Sequence, residues 1–494
     1  MLESTLLTAR RRWILRGWLP FVCTSASLVS SALLAADESD QTQILYDAKV
    51  FTAEYDHPYA EAVAIRGDRI LAVGSLPAVK QAAGPGARAI DLQGKFLMPG
   101  MIDAHAHPIA GGVTLIQANF PDTADSVPAL AQFVAEQIGK GDSRLGDVLV
   151  INGIDIGYWS HAAEIDAALS SGRFASQPIV LFGSDGHTAW ANRLARRRAG
   201  ITAKYIKSLK PSEQRYFGFD AAFNPNGFVV DAGKTKLDES LPDPSPESML
   251  QAGRAAVRYM NGVGITAWLD AAVSGVVGGA VPASPDDPGY LPVYRDLGQR
   301  GELTAHVVAY PVVQPDLGTQ QIDAVEAIRA KFKDIPNLTI PGLKVFADGV
   351  VEVPSHTAAL TKPYRDTGRL VSPLFTPAKM NALVSEAYRR GLTVHIHAIG
   401  DLAVKDSLDA CEAARKANPD TPLPFVMTHV QFADPEDIPR FGQLHVIAAL
   451  QLIWAVADPS TNEQVKRRSI LDTGGVIAGA SDWPVTTANR CSPS

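Results

Sequence analysis

His105 and His107 stand two residues apart at the end of an apolar run that begins at Pro99-Gly100. Residues two apart on a strand project to the same side. Both imidazoles then reach one point, an arrangement that suits a divalent metal ion. A lone His-x-His is a weak signal, and three further positions strengthen it. His397 closes the apolar run 392–397, His429 closes 424–429, and Asp482 follows the run 476–480. Four histidines and a carboxylate at such ends, in a chain with 11 histidines, form a concentrated donor set.

Lys344 lies inside another apolar run, Gly342-Leu343-Lys344-Val345-Phe346. Burial disfavours a charged ammonium and lowers its pKa. A neutral amine reacts with carbon dioxide, and the carbamate formed is an oxygen ligand able to bridge two metals. The same position also reads as a lysine paired with a nearby carboxylate such as Asp348.

The elements that must position these residues change character along the chain. Residues 43–96 read as short strands with turns, a small all-β module with no helix of useful length. The module is set at 37–96, a β-sandwich. After Pro99-Gly100, eight apolar strand-like runs alternate with helical patterns such as 377–390 and 402–417. Strands alternating with helices predict an α/β (β/α)8 barrel, here over 97–494, whose catalytic groups sit at the C-terminal strand ends. The segment from about 110 to 262 is too long for one connection. It reads as a large insertion over the barrel mouth, with strand-like runs at 148–151 and 178–182. Residues 277–289, rich in Pro and Gly, read as a loop.

Composition excludes several classes. Of 494 residues, 46% are hydrophobic and 20% charged, which excludes a disordered, collagen-like or polytopic membrane chain. A net charge of −7 argues against general nucleic-acid binding. Three cysteines cannot build a disulfide framework. The first 36 residues carry four arginines ahead of an uncharged stretch from Trp18 to Ala36. This is the order of an export signal, and Arg11-Arg12-Trp13-Ile14-Leu15 resembles a twin-arginine signal. The alternative is an uncleaved membrane anchor. The mature chain is expected in the periplasm of a bacterium or outside the cell, touching membrane only through that signal.

The chain resembles the amidohydrolase superfamily, and within it amidohydrolase family 3, the group of YtcJ-like proteins and N-substituted formamide deformylases. The matching pieces are Pro99 to His107, Lys344-Val345-Phe346-Ala347-Asp348-Gly349, His397-Ala398-Ile399-Gly400-Asp401 and Ser481-Asp482-Trp483-Pro484. The resemblance implies that His105 and His107 bind the more buried metal and that Lys344 is a carboxylated bridge. His397 and His429 would bind a second metal. Asp482 would touch a metal and act as general base toward the bridging water. One or two metals are implied. Zinc is the default for these donors, with iron and manganese as alternatives. The segment Ser184-Asp185-Gly186-His187-Thr188 resembles the family's segment over the site, with His187 a candidate for holding the substrate carbonyl or for ordering the insertion. The family more often has arginine where His356 precedes Thr357-Ala358. Asn152-Gly153 and Tyr158-Trp159 are read as pocket-lining or as packing within the insertion. His395 could also face the metal, and the His-Ala-Ile-Gly-Asp match favours His397. His161, His306 and His445 carry no motif.

The implied activity is metal-dependent hydrolysis of C–N bonds in small-molecule amides, formamides or cyclic amides, with esters and phosphoesters as a weaker substrate class. A homo-oligomer is compatible with the sequence. The chain ends twelve residues after Asp482, where family members continue. The expectation is therefore a C-terminally truncated member with an incomplete β module. Its alternative reading is a pseudoenzyme or binding protein without turnover.

Overall fold

The computed structural model describes residues 41–121, 126–141, 143–274, 284–353, 355–454 and 467–486. The N-terminal signal and the end of the chain, including Cys23 and Cys491, lie outside the described residues. So do residues 277–283 of the 277–289 loop. The chain divides into two compact units, 1–99 and 100–494. Among the described residues no helix is long and apolar enough to cross a membrane.

In the first unit β1 (Gln43–Phe51) pairs antiparallel with β2 (Tyr59–Ala60) and β3 (Ala62–Arg66), and β3 continues to β4 (Arg69–Gly74). The expectation of an all-β module is corrected here. Leu76–Ala83 is a helix, α1. It starts with Pro in its first turn, buries Val79 and Ala83 on one face and stops at Gly84, whose φ is 78°. Residues four apart share a helix face, so two small apolar side chains suffice to dock it. They join Ile44, Ala62 and Ala64 in a small core. β5 (Arg88–Leu97) runs parallel on β1. No second sheet facing this one occurs among the described residues of the unit.

The second unit opens with β6 (Met101–Ala106) and α2 (Pro108–Ile116). A separate sheet follows, built on β7 (Val148–Ile154), β8 (Ile179–Gly183), β9 (Thr188–Ala191) and β10 (Pro225–Val230), with short edge pieces. Its apolar faces close two cores, one around Leu149, Trp159 and Leu181 and one around Val150, Val180 and Ile206. Helix α3 (Pro246–Gly262) does not join these cores. Its Leu250, Ala256, Val257 and Met260 pack with Ala106, Ile109, Ile265 and Trp268, beside the parallel strands. The expected insertion boundary near 262 therefore falls too late, because the helix ahead of it belongs to the parallel-strand core.

The remaining strands are β11 (Ile265–Asp270), β12 (His306–Ala309), β13 (Gly342–Phe346), β14 (Thr393–Ala398), β15 (Phe425–His429), β16 (Val446–Leu450) and β17 (Val476–Gly479). β6 lies parallel to β11 and β11 to β12, and β13 to β17 form a second parallel sheet in sequence order. Val312, beyond β12, bridges in parallel to Lys344 of β13. At the other edge Ser481 and Asp482, beyond β17, hydrogen-bond to Asp103 and His105 of β6. All eight strand positions read from the sequence are strands in the structure.

Alternation along these strands separates core from site. Leu343, Val345, Val394 and Ile396 share one core with residues of α4 (Pro377–Arg389) and α5 (Asp401–Ala417), such as Leu383, Val404 and Leu408. Each such buried side chain contributes about 1.5–3 kcal/mol of transfer free energy. The intervening Lys344, His395 and His397 necessarily point the other way.

Candidate metal centre

The end of β6 is laced to the segment after β17. Asp103 Oδ1 accepts the N–H of Ser481 at 2.9 Å and that of His105 at 3.3 Å. The N–H of Asp482 donates to the His105 carbonyl at 2.8 Å, and that of His107 to the Trp483 carbonyl at 2.7 Å. Asp482 has φ 58° and His429 has φ 72°. Both occupy the left-handed region that side chains other than glycine adopt sparingly, a feature concentrated at functional sites. Gly111 keeps this corner tight, since a Cβ there would stand 2.5 Å from the Trp483 ring.

These bonds bring the donor atoms together. Asp482 Oδ1 lies 3.1 Å from His105 Nε2 and 3.3 Å from His107 Nε2. Ligand atoms of His105, His429 and Asp482 all fall within 4.8 Å of one another, and all three residues are buried. His429 Nδ1 meets Gln451 Oε1 at 3.0 Å. Gln451 Oε1 can only accept, so Nδ1 carries the hydrogen and Nε2 keeps its lone pair. His105 Nδ1 meets His395 Nε2 at 2.7 Å. Donation from His105 to His395 leaves His105 Nε2 equally available. Such an outer partner fixes ring orientation in metal-binding histidines.

His397 stands differently. Its ring is 4.5 Å from that of His429, centroid to centroid. Its Nε2 is bonded to the Gly349 carbonyl at 3.0 Å, so it stands outside the three-residue cluster. Asp348 Oδ1 is 3.6 Å away. The Asp348 carboxylate accepts three backbone N–H groups, from Ala359 and Ile399 at 3.0 Å and Gly400 at 2.8 Å. Burial nevertheless pushes its pKa up to about 7.

Lys344 is fully buried, and its Nζ has no hydrogen-bond partner among the described residues. It lies 4.6 Å over the Phe346 ring. The pairing with Asp348 weighed above is not formed, because backbone donors occupy that carboxylate. Burial lowers the amine to about 7, with Asp482 opposing the shift.

The same burial keeps the imidazoles neutral. His105 and His395 are pushed well below the usual range by burial and then by Lys344. His429 is pushed well down by burial and then by His397. His397 falls to about 3 for the first two reasons. Burial would raise Asp482, but the hydrogen bond with His107 and the neighbouring His429 and Lys344 outweigh it and lower its pKa. Neutral imidazoles and an ionised carboxylate are the states in which these groups donate to metals.

His187 immediately precedes β9, with Nδ1 2.8 Å from Asp231 Oδ1. Burial alone would lower its pKa, but the hydrogen bond to Asp231 and the charges of Asp231, Asp185 and Glu352 raise it. It lines a cavity of about 460 Å³ together with Phe346, Asp348 and Gly349, beside His397. A second cavity of about 390 Å³ is lined by Ala110, Asn152, Gly153, Phe182, Tyr290 and Pro484, among others. Tyr158 and Trp159 pack in the core around Leu149 and Leu181, the latter of the two donating to Thr188 Oγ1 at 2.7 Å. His356 is buried away from the cluster, stacked on Tyr364 and 3.5 Å from Asp366. His161 pairs with Glu164, and His306 and His445 are exposed.

Two polar residues near the centre carry no role in the sequence reading, Asp103 and Asp270, while His395, weighed there as able to face the metal, bonds to His105. Asp103 is two residues before His105, on the same strand, and alternation could have found it. Asp270 ends β11, is buried and accepts from Tyr294 Oη at 2.6 Å. Burial raises its pKa against the pull of Tyr294 and His107.

A family model described as "Amidohydrolase family" matches residues 88–494. "Protein LONG AFTER FAR-RED 3" of Arabidopsis thaliana is 26% identical over 490 residues, 94% of this chain and 78% of that protein. "N-substituted formamide deformylase" of Arthrobacter pascens is 26% identical over 475 residues, 90% of this chain and 81% of that protein. Among solved structures, an uncharacterized metal-dependent hydrolase from Pyrococcus horikoshii OT3 superposes with a TM-score of 0.67 at 20% identity, covering 91% of this chain and 84% of that one. The structural likeness is one of fold. With a family match over most of its length and the His/Asp cluster at its strand ends, the chain belongs to amidohydrolase family 3.

Proposed function

We propose that the chain is a metal-dependent hydrolase of non-peptide C–N bonds in small amides, formamides or cyclic amides. The observation that carries this reading is the convergence of His105, His429 and Asp482 within 4.8 Å beside an unpartnered, buried Lys344. The parallel pairing and the links between β12 and β13 and between β6 and the segment after β17 support a closed (β/α)8 barrel. The cavity shared by Phe182, Ala110 and Pro484 supports an insertion lying over its mouth.

The donor set fits a divalent ion. His105, His107 and Asp482 would hold one, His397 and His429 a second, with Lys344 as a carboxylated bridge. Nitrogen and oxygen donors favour zinc. When bound, such an ion supplies a water acidic enough to give hydroxide near neutral pH and a Lewis-acid contact for the scissile carbonyl. Asp482 takes the proton of the attacking water on its carboxylate and delivers it to the leaving nitrogen. His187, held through Nδ1 by Asp231, presents Nε2–H to the carbonyl oxygen. Its raised pKa keeps that hydrogen in place. Arg11-Arg12 ahead of an uncharged stretch supports export of the chain.

The test is turnover of a panel of amides, formamides and cyclic amides with matched esters, before chelation, after it, and after zinc is restored. The reading expects C–N cleavage that chelation abolishes and zinc restores. Turnover of esters alone, or turnover indifferent to chelation, contradicts it.

A further inference from the structure

The 460 Å³ cavity beside His397 has an outer wall made by residues 205–239, which carries both cations and carboxylates. Arg215 and Lys236 line it, and so do Tyr205 and Tyr216. Three cations nearby are ion-paired: Arg196 with Asp166 at 2.6 Å, Arg198 with Asp147 at 2.8 Å, Lys234 with Asp238 at 2.7 Å. Arg215 and Lys236 make no ion pair among the described residues. Each is held by an aromatic ring instead. Arg215 lies 4.9 Å over Tyr216 and donates to its hydroxyl at 2.7 Å, and Lys236 lies 4.7 Å over Tyr205. A cation laid on a ring is oriented without being neutralised.

Of the three carboxylates that line the cavity, two are engaged among the described residues. Asp231 is bound to His187 and Asp348 to three backbone donors, which leaves Glu239 alone uncommitted. A third cation, Arg369, is close enough to Arg215 to feel it. Burial first and Arg215 second lower its pKa; it donates to the Ser355 and His356 carbonyls, and its Nε has no partner among the described residues. Two cations that line one cavity with no ion pair of their own leave a place for an anion supplied by a ligand.

We propose that the outer part of this cavity is a subsite for a carboxylate, with Arg215 as its principal ligand and Lys236 as its second. The substrates are then amides bearing an acidic arm, read from the side of the bond that faces His187 and Phe346. The substrate class rests on the hydrolase reading above; the anion subsite itself does not. Arg215 is exposed, so truncating it leaves the core intact.

The test uses the zinc-loaded full chain and a series of methyl-ketone carboxylates, which have no C–N bond to cleave, with the matching alcohols. Calorimetry should give about ten-fold or tighter binding for a carboxylate over its alcohol. Arg215→Ala should abolish the discrimination at unchanged melting temperature and metal content, and Lys236→Ala should weaken it. Equal binding of acid and alcohol, no binding of either, or discrimination that survives Arg215→Ala overturns the subsite. The two readings fail separately. Hydrolysis of amides with no carboxylate discrimination removes the subsite and keeps the hydrolase. Discrimination through Arg215 with no hydrolysis of any amide does the reverse.

Discussion

His105 and Asp482 are joined twice: the Asp482 N–H donates to the His105 carbonyl at 2.8 Å, and Asp482 Oδ1 lies 3.1 Å from His105 Nε2. The backbone bond sets where the carboxylate can reach, and the left-handed φ of Asp482 turns it inward. The geometry of the proposed site is therefore written into the seam between the first and last parallel strands.

Asp482→Asn should keep the fold and bound metal while lowering kcat by about 10²–10⁴-fold, the usual range for losing a general base. Steady-state kinetics with metal analysis on the same sample checks this. Retained kcat would remove Asp482 as the base.

Lys344 makes stability depend on pH in the metal-free chain. Its pKa is about 7 folded against an ordinary 10.5. Between those values the unfolded chain binds a proton that the folded chain does not, so stability rises with pH across that window. Below pH 7 the penalty is present in full. The buried histidines act lower, with His397 at about 3 against 6.5 unfolded, so their contribution is lost as pH falls from 6.5. Urea titrations should show wild type gaining on Lys344→Met as pH rises from about 7 to 9. Parallel pH profiles for the two proteins would contradict the burial of a strained amine.

Asp348→Ala strands the N–H groups of Ile399 and Gly400, just past β14, and of Ala359, and should cost about 3–5 kcal/mol. Asp348→Asn, which keeps one acceptor oxygen, should cost less. Urea unfolding of both variants decides it. Equal losses would mean the carboxylate does not hold those donors.

Much of this was legible in the sequence because parallel strands covered on both faces read as unbroken apolar runs. Polar residues at their ends, such as His429 and Asp482, then stand out. What was missed has physical reasons. Alternation places His395 and His397 on one face and cannot tell that His395 bonds to His105 while His397 bonds to the Gly349 carbonyl. The helix α1 is docked by only two small side chains, too few to show a period. Arg215 and Lys236 meet in one cavity only through tertiary folding.

Gly111→Ala should push the Trp483 ring and with it Asp482, lowering kcat by about 10²-fold with little change in secondary structure. Kinetics beside circular dichroism checks it. Unchanged kcat would show that the corner can yield without moving the carboxylate.

Elemental analysis of the full chain after dialysis with zinc and bicarbonate, followed by gel filtration, tests the central claim most directly. The account predicts one or two divalent ions retained per chain, and their loss in the His105→Ala and His429→Ala variants. A folded wild-type chain that retains no metal would contradict it.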